Sequence, residues 1–130
     1  MFLQSMKWAF AWAVVILILC GIPGSNFPKL TFLEWLRPDK IVHLILFGTQ
    51  AFLLIKGFLR QTKYSSLQLR SKSLGVTIAI LYGILVEVLQ STIFIGRTGD
   101  FRDAIANAIG AFVGLLIFNR FENKKNSLLD

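Results

Sequence analysis

Three ionisable side chains, His43, Glu87 and Asp103, lie in strongly apolar parts of the sequence. A charged group inside a bilayer-length helix is costly unless it is paired or neutralised, so each marks a candidate functional site. His43 is the single histidine and could act as general acid or base, with Glu87 or Asp103 orienting it or serving as a second acid-base group. The same imidazole and two carboxylates could instead hold a divalent cation, which would favour phosphoryl chemistry. The sequence leaves the identity of any cofactor open.

Six further polar residues are spaced so that they could bind a ligand beside these three groups. Intervals of three and four residues place side chains on a shared helix face. The two arginines among them follow a glycine break and suit phosphate, because a guanidinium is a planar fork of donors. We expect the substrate-binding residues to be Asp39, Lys40, Gln90, Arg97, Arg102 and Asn107.

Each of these residues also has a purely structural interpretation. His43 could hydrogen-bond a neighbouring helix, and Glu87 could form a buried interhelical ion pair. Gln90 and Asn107 are typical of hydrogen bonds between membrane helices. Arg97 could anchor the chain to lipid headgroups instead of binding a substrate.

The composition identifies a membrane protein. Of the 130 residues, 55% are hydrophobic, and the mean hydropathy is +0.64, far above the average for soluble chains. We predict one domain over residues 1–130, with an all-α fold of four transmembrane helices. The apolar segments are 8–22, 41–59, 74–95 and 104–121, of which the first and last are short for a bilayer.

The distribution of the 14 Lys and Arg residues predicts the orientation of the chain. Nine of them lie before the first segment, between the second and third, or after the last, and five lie on the opposite side. The positive-inside rule therefore places both termini and the middle loop, residues 56–72, in the cytoplasm. Attraction to anionic lipid accounts for the net charge of +7 without nucleic acid as a partner. The middle loop and the tail, residues 122–130, show no further functional pattern.

This orientation brings polar residues of three helices to the outer half of the bundle. Asp100 falls where the last helix should begin, so we expect it to be that helix's N-cap. Gly110 and Gly114 form a G-x-x-x-G pair that favours close helix contact, either within one chain or in a homo-oligomer. We expect an outward-facing polar pocket lined by Asp39, His43, Gln50, Glu87, Gln90, Arg97, Asp103 and Asn107.

Three blocks of residues between positions 39 and 114 resemble the VanZ-like family of small bacterial membrane proteins. They read D-K-x-x-H-x-x-x-F from Asp39, Y-G-x-x-x-E-x-x-Q from Tyr82, and G-R-x-x-D-x-x-D-x-x-A-N-x-x-G-x-x-x-G from Gly96. The family is named for a member associated with resistance to the glycopeptide antibiotic teicoplanin. The resemblance implies a multi-pass protein of the bacterial cytoplasmic membrane, and it does not supply a reaction.

Two classes of function fit these residues. The first is an enzyme that acts at the outer leaflet on a lipid-linked cell-envelope precursor or headgroup, and so affects susceptibility to glycopeptide or other envelope antibiotics. The second is a non-enzymatic protein that binds a lipid, a precursor or an antibiotic with the same pocket. A proton or solute path is disfavoured, because the inner halves of the last three segments are almost wholly apolar.

Overall fold

The computed structural model describes residues 1–23, 38–96 and 99–129, apart from the side chains at positions 38 and 39. The described residues form five helices and no strand. The helices are α1 (Phe2–Gly21), α2 (Pro38–Arg60), α3 (Ser65–Leu69), α4 (Ser71–Thr92) and α5 (Phe101–Ser127). All except α3 are long and apolar enough to cross a membrane, so the predicted all-α, four-span fold is confirmed.

The first and last spans are longer than the sequence predicts. α1 has 20 residues and α5 has 27, because the residues next to both apolar segments also tolerate a helix. α4 ends earlier than predicted, at Thr92. The hydroxyls of Ser91 and Thr92 donate to the carbonyls of Glu87 and Val88, at 2.6 Å each, and Gly96 then takes a positive φ of 73°.

The helix α2 is central and packs against α1, α4 and α5. It runs parallel to α5, since Lys40 pairs with Asp103 at one end of the two helices and Phe52 contacts Phe118 towards the other. The helices α1 and α4 run in the opposite direction. The starts of α2 and α5 therefore lie at the same end of the bundle as the end of α4.

Glycines allow α2 and α5 to approach closely. A Cβ on Gly110 would lie 2.5 Å from the carbonyl oxygen of Leu44, and a Cβ on Gly48 would lie 2.9 Å from that of Gly110. A Cβ on Gly114 would meet the carbonyl oxygen of Gly48. The G-x-x-x-G pair thus serves packing within one chain. A homo-oligomer through the same pair stays a prediction.

Side-chain hydrogen bonds to backbone carbonyls connect α1 with the other helices. Trp12 donates to Leu46, at 2.9 Å, and the remaining donors lie on α2 and α4. Gln50 donates to the carbonyl of Ala9 at 3.3 Å, Tyr82 to that of Ala13 at 2.6 Å, and Gln90 to that of Cys20 at 3.0 Å. Deeper in the bundle the buried residues are apolar, with Ala51, Ile55, Ala79 and Ala111 fully buried.

Candidate functional site

Polar side chains from three helices meet where α2 and α5 begin and α4 ends. By helix rise, His43, Glu87 and Asn107 lie about 7–9 Å from those helix ends. Their exposed fractions are 3%, 7% and 1%, so these groups are enclosed by protein. We call the group the polar cluster, consisting of Lys40, His43, Glu87, Asp100, Asp103 and Asn107.

His43 is held by the side chain of Asn107. Its Nδ1 lies 2.7 Å from Asn107 Oδ1, and the amide nitrogen of Asn107 donates to the Gly83 carbonyl, at 3.4 Å, and to Glu87 Oε1, at 3.5 Å. Because the amide nitrogen already faces two acceptors, this network favours the neutral tautomer with the proton on Nδ1 of His43. Nε2 then remains available and lies 3.9 Å from Asp103 Oδ2.

Glu87 is bound from two sides. Its Oε2 accepts the backbone N–H of Asp100 at 3.2 Å, and its Oε1 lies 3.7 Å from His43 Nδ1. The first contact depends on Gly99, where a Cβ would lie 2.7 Å from the Glu87 carbonyl oxygen and 2.5 Å from Ser91 Oγ. Glycine thus lets the start of α5 lie directly on the end of α4.

Asp103 joins the cluster through Lys40. Lys40 Nζ lies 2.6 Å from Asp103 Oδ1 and 3.7 Å from Asp100 Oδ2. The second Asp103 oxygen faces His43. The carboxylate therefore bridges an ammonium group and an imidazole, while the Lys40 and Asp100 side chains, 23% and 48% exposed, form the solvent-facing edge of the cluster.

Asp100 is the N-cap of α5, as the sequence predicts. Its side chain accepts the backbone N–H of Arg102 at 2.9 Å. This hydrogen bond, reinforced by the charges of Lys40 and Arg102, holds the pKa of the Asp100 carboxyl below its ordinary value. The Asp103 side chain does not complete a capping box, because it pairs with Lys40 instead.

The charges of the polar cluster do not balance among the described residues. Three carboxylates face one ammonium group, and with the exposed Arg102 beside Asp100 the formal charge is −1 while the imidazole is neutral. His43, Glu87 and Asp103 each offer a ligand atom, and these atoms lie within 4.8 Å of one another. The three side chains could therefore hold a divalent cation after a small closure, with Asn107 orienting the imidazole in the manner usual for metal-bound histidines.

Several predicted site residues lie elsewhere. Gln50 shares the helix face of His43 but is two turns deeper, where it meets α1. Gln90 also bonds to α1, so both glutamines act between helices and do not join the cluster. Arg102 is exposed beside Asp100. Arg97 and the Asp39 side chain lie outside what the structure describes.

The expected open pocket is not seen among the described residues, whose polar cluster is packed side chain to side chain. It stays a prediction, as does its outward orientation. Sequence reasoning missed the second role of Asp100, whose backbone N–H binds Glu87 while its carboxylate approaches Lys40. The glycine directly before it was the available signal, since it permits this close approach.

Four apolar spans around a buried acidic and histidine cluster define a polytopic helical membrane protein with a candidate site near one membrane face. Within that class, the chain belongs to the VanZ/LLP1 family, whose model matches residues 3–122. The match extends well beyond the three sequence blocks and includes α1 and most of α5. Searches of curated proteins and of solved structures return no match.

Proposed function

We propose that this protein acts on the headgroup of a lipid-linked cell-envelope precursor in the bacterial cytoplasmic membrane, and so affects susceptibility to glycopeptide antibiotics. The observation that carries the proposal is the polar cluster itself. It buries a histidine and two carboxylates close to one end of the four spans, and its edge, formed by Lys40 and Asp100, is exposed. Buried ionisable groups in membrane spans mark functional sites by default.

In this proposal His43 Nε2 gives or takes the proton. Asn107 fixes the ring by accepting from Nδ1, and Asp103 Oδ2 lies 3.9 Å from Nε2. Lys40 keeps Asp103 in place. Glu87 is the second acid-base candidate, and its position depends on the Asp100 N–H.

Binding a phosphate at this cluster requires additional positive charge, because its three carboxylates outnumber its one ammonium group while His43 is neutral. Two groups could supply this positive charge. Arg97 and Arg102 follow the glycine break and could bind phosphate as donor forks. His43, Glu87 and Asp103 could instead hold a divalent cation, which would supply positive charge for the phosphate, and His43 would then act as a ligand and not as the proton carrier.

The close packing of the cluster favours a second candidate function, a non-enzymatic binding protein. His43, Glu87 and Asn107 already satisfy one another, so a lipid or antibiotic could bind at the edge formed by Lys40 and Asp100 without any proton transfer. This function needs the charges but no titrating imidazole, which makes His43→Asn the discriminating variant.

Mass spectrometry of lipids tests both candidates. Cells would express wild type, His43→Asn or Glu87→Gln at equal membrane levels, with Glu122→Gln as the matched control. Glu122 is also a carboxylate, but it pairs with Lys72 at the opposite end of the bundle. Whole-cell lipids and lipids that co-purify with each protein would be measured, with and without EDTA and added Mg²⁺ or Mn²⁺.

An enzyme predicts a headgroup or precursor species whose abundance changes with wild type and Glu122→Gln but not with His43→Asn or Glu87→Gln. A binding protein predicts an unchanged lipidome, together with a lipid retained by wild type and His43→Asn and lost from Glu87→Gln. Both candidates fail if no variant changes either the lipidome or the retained lipids.

We also propose that both termini are cytoplasmic, which places the polar cluster at the outer face. The asymmetric distribution of Lys and Arg supports this orientation.

A further inference from the structure

A groove lies between α2 and α5 at the end of the bundle opposite the polar cluster. It has a volume of about 570 Å³, and its walls come from the C-terminal halves of the two helices. Three aromatic rings form its base. Phe52 contacts Phe118 and Phe121 edge to face, with ring centroids 5.4 and 6.2 Å apart.

Basic side chains line the same groove nearer the helix ends. Lys56, Arg60 and Lys125 are all exposed. The acidic residue of the groove, Glu122, is neutralised by Lys72, whose Nζ lies 2.8 Å from its carboxylate. The groove therefore presents a concentrated positive charge beside an aromatic surface.

The order of these residues is the same on both helices. Phe52, Lys56 and Arg60 succeed one another at intervals of four along one face of α2, and Phe118, Phe121 and Lys125 follow at three and four along α5. Because α2 and α5 are parallel, both place aromatic rings towards the membrane centre and cations towards the surface. A phospholipid has the same order, with acyl chains inside and a charged headgroup outside.

We propose that this groove binds one anionic phospholipid of the adjacent leaflet. The headgroup phosphate lies among Lys56, Arg60 and Lys125, where each cation near an anionic lipid contributes attraction. The upper part of an acyl chain lies on Phe121, a residue that is 63% exposed. The proposal does not depend on the proposed function or on the orientation of the chain, since the site is at the opposite end from the polar cluster.

Native mass spectrometry of the full chain tests the proposal. Detergent-solubilised protein would be incubated with equal amounts of phosphatidylglycerol and phosphatidylcholine that carry the same acyl chains. We expect wild type to retain one phosphatidylglycerol in preference to phosphatidylcholine. Lys56→Gln/Arg60→Gln/Lys125→Gln should lose that preference by at least about tenfold, as expected for removing three attractive charges.

The matched control is Lys63→Gln/Arg70→Gln/Lys124→Gln. It removes the same charge from exposed residues of the same end that do not line the groove, and it should keep the preference. Phe121→Gln should weaken retention with every cation present, and millimolar inorganic phosphate should not displace the lipid.

Three results would overturn the proposal. Wild type could show no preference between the two lipids, or the control triple variant could lose retention as far as the groove variant does. Displacement by inorganic phosphate would show a phosphate site and not a lipid site. Circular dichroism of each variant checks that its helices are intact, since substitutions of exposed residues usually change stability little.

Discussion

At the scale of single residues, the protonation of His43 follows from the amide that faces it. Asn107 directs its nitrogen to the Gly83 carbonyl and to Glu87, and so offers oxygen to His43 Nδ1. A ring held in this way has one tautomer in its neutral form, with the lone pair on Nε2. The atom that faces Asp103 is then the one able to bind a proton or a metal.

We predict that neutral His43 is the Nδ1–H tautomer. Nitrogen NMR of protein labelled at histidine reports this directly, and the single histidine removes any need for assignment. Asn107→Leu should weaken the preference, because Nδ1 then loses its acceptor at 2.7 Å and faces only Glu87 Oε1, at 3.7 Å. Gln90→Leu, which changes a buried amide that bonds to α1, is the control and should leave the spectrum unchanged. An Nε2–H tautomer in wild type would contradict the prediction.

The N-cap of α5 should depend on pH. The pKa of Asp100 is lowered in the folded chain by the Arg102 N–H, so its ionisation stabilises the fold above the ordinary carboxyl pKa of about 3.9. That contribution is lost as the pH falls through the lower, folded value. We expect the amide proton shift of Arg102 to titrate with a midpoint below about 3.9.

The control for this titration is Asp100→Asn. Asparagine also caps helices but does not titrate, so the Arg102 shift should stay constant over the same range. A midpoint at or above the ordinary value in wild type would show that the hydrogen bond does not favour the ionised carboxylate.

At the scale of helices, the α2–α5 contact is the one most sensitive to side-chain size. Gly114→Ala should lower the thermal unfolding temperature in detergent, because the added methyl group would meet the backbone of Gly48. The expected loss of stability exceeds the stabilisation of about 0.5–1 kcal/mol that Ala brings relative to Gly in a helix interior.

Gly21→Ala is the matched control. Its added methyl group would find only ordinary contact with the Phe94 ring, at 3.8 Å, so its unfolding temperature should change little. Equal destabilisation by both substitutions would show that close packing of α2 on α5 is not responsible.

Much of the helix arrangement can be predicted from the sequence. What cannot be predicted is how deep each polar residue lies in the bundle and which helix it contacts. Apolar length predicts the four spans, and the pair Gly110 and Gly114 predicts a close contact. Helical spacing alone places Gln50 on the same helix face as His43. Because Gln50 is seven positions later, however, it lies about 10 Å deeper and contacts α1. The sequence also does not reveal that α2 is the partner of the glycine face, because that depends on Gly48 and on non-local packing.

At the scale of the whole molecule, the orientation in the membrane is the central prediction. In a Cys20→Ala background, which removes the only cysteine, Arg102→Cys should react with a membrane-impermeant maleimide in intact cells. Asn126→Cys, at the far end of α5, should react only after permeabilisation. Both original side chains are exposed, so access should depend on the side of the membrane. The reverse pattern would place the polar cluster in the cytoplasm.

The parallel pairing of α2 with α5 also has a consequence for the order of synthesis. Lys40 and His43 emerge from the ribosome 63 and 64 residues before their partners Asp103 and Asn107. At about 5–20 residues per second this is a delay of roughly 3–13 s. During that time the groups on α2 have no α5 beside them. Any chain that stops before its last helix leaves Lys40 without Asp103 and His43 without Asn107, so completed and truncated chains differ in a way that cellular quality control can recognise.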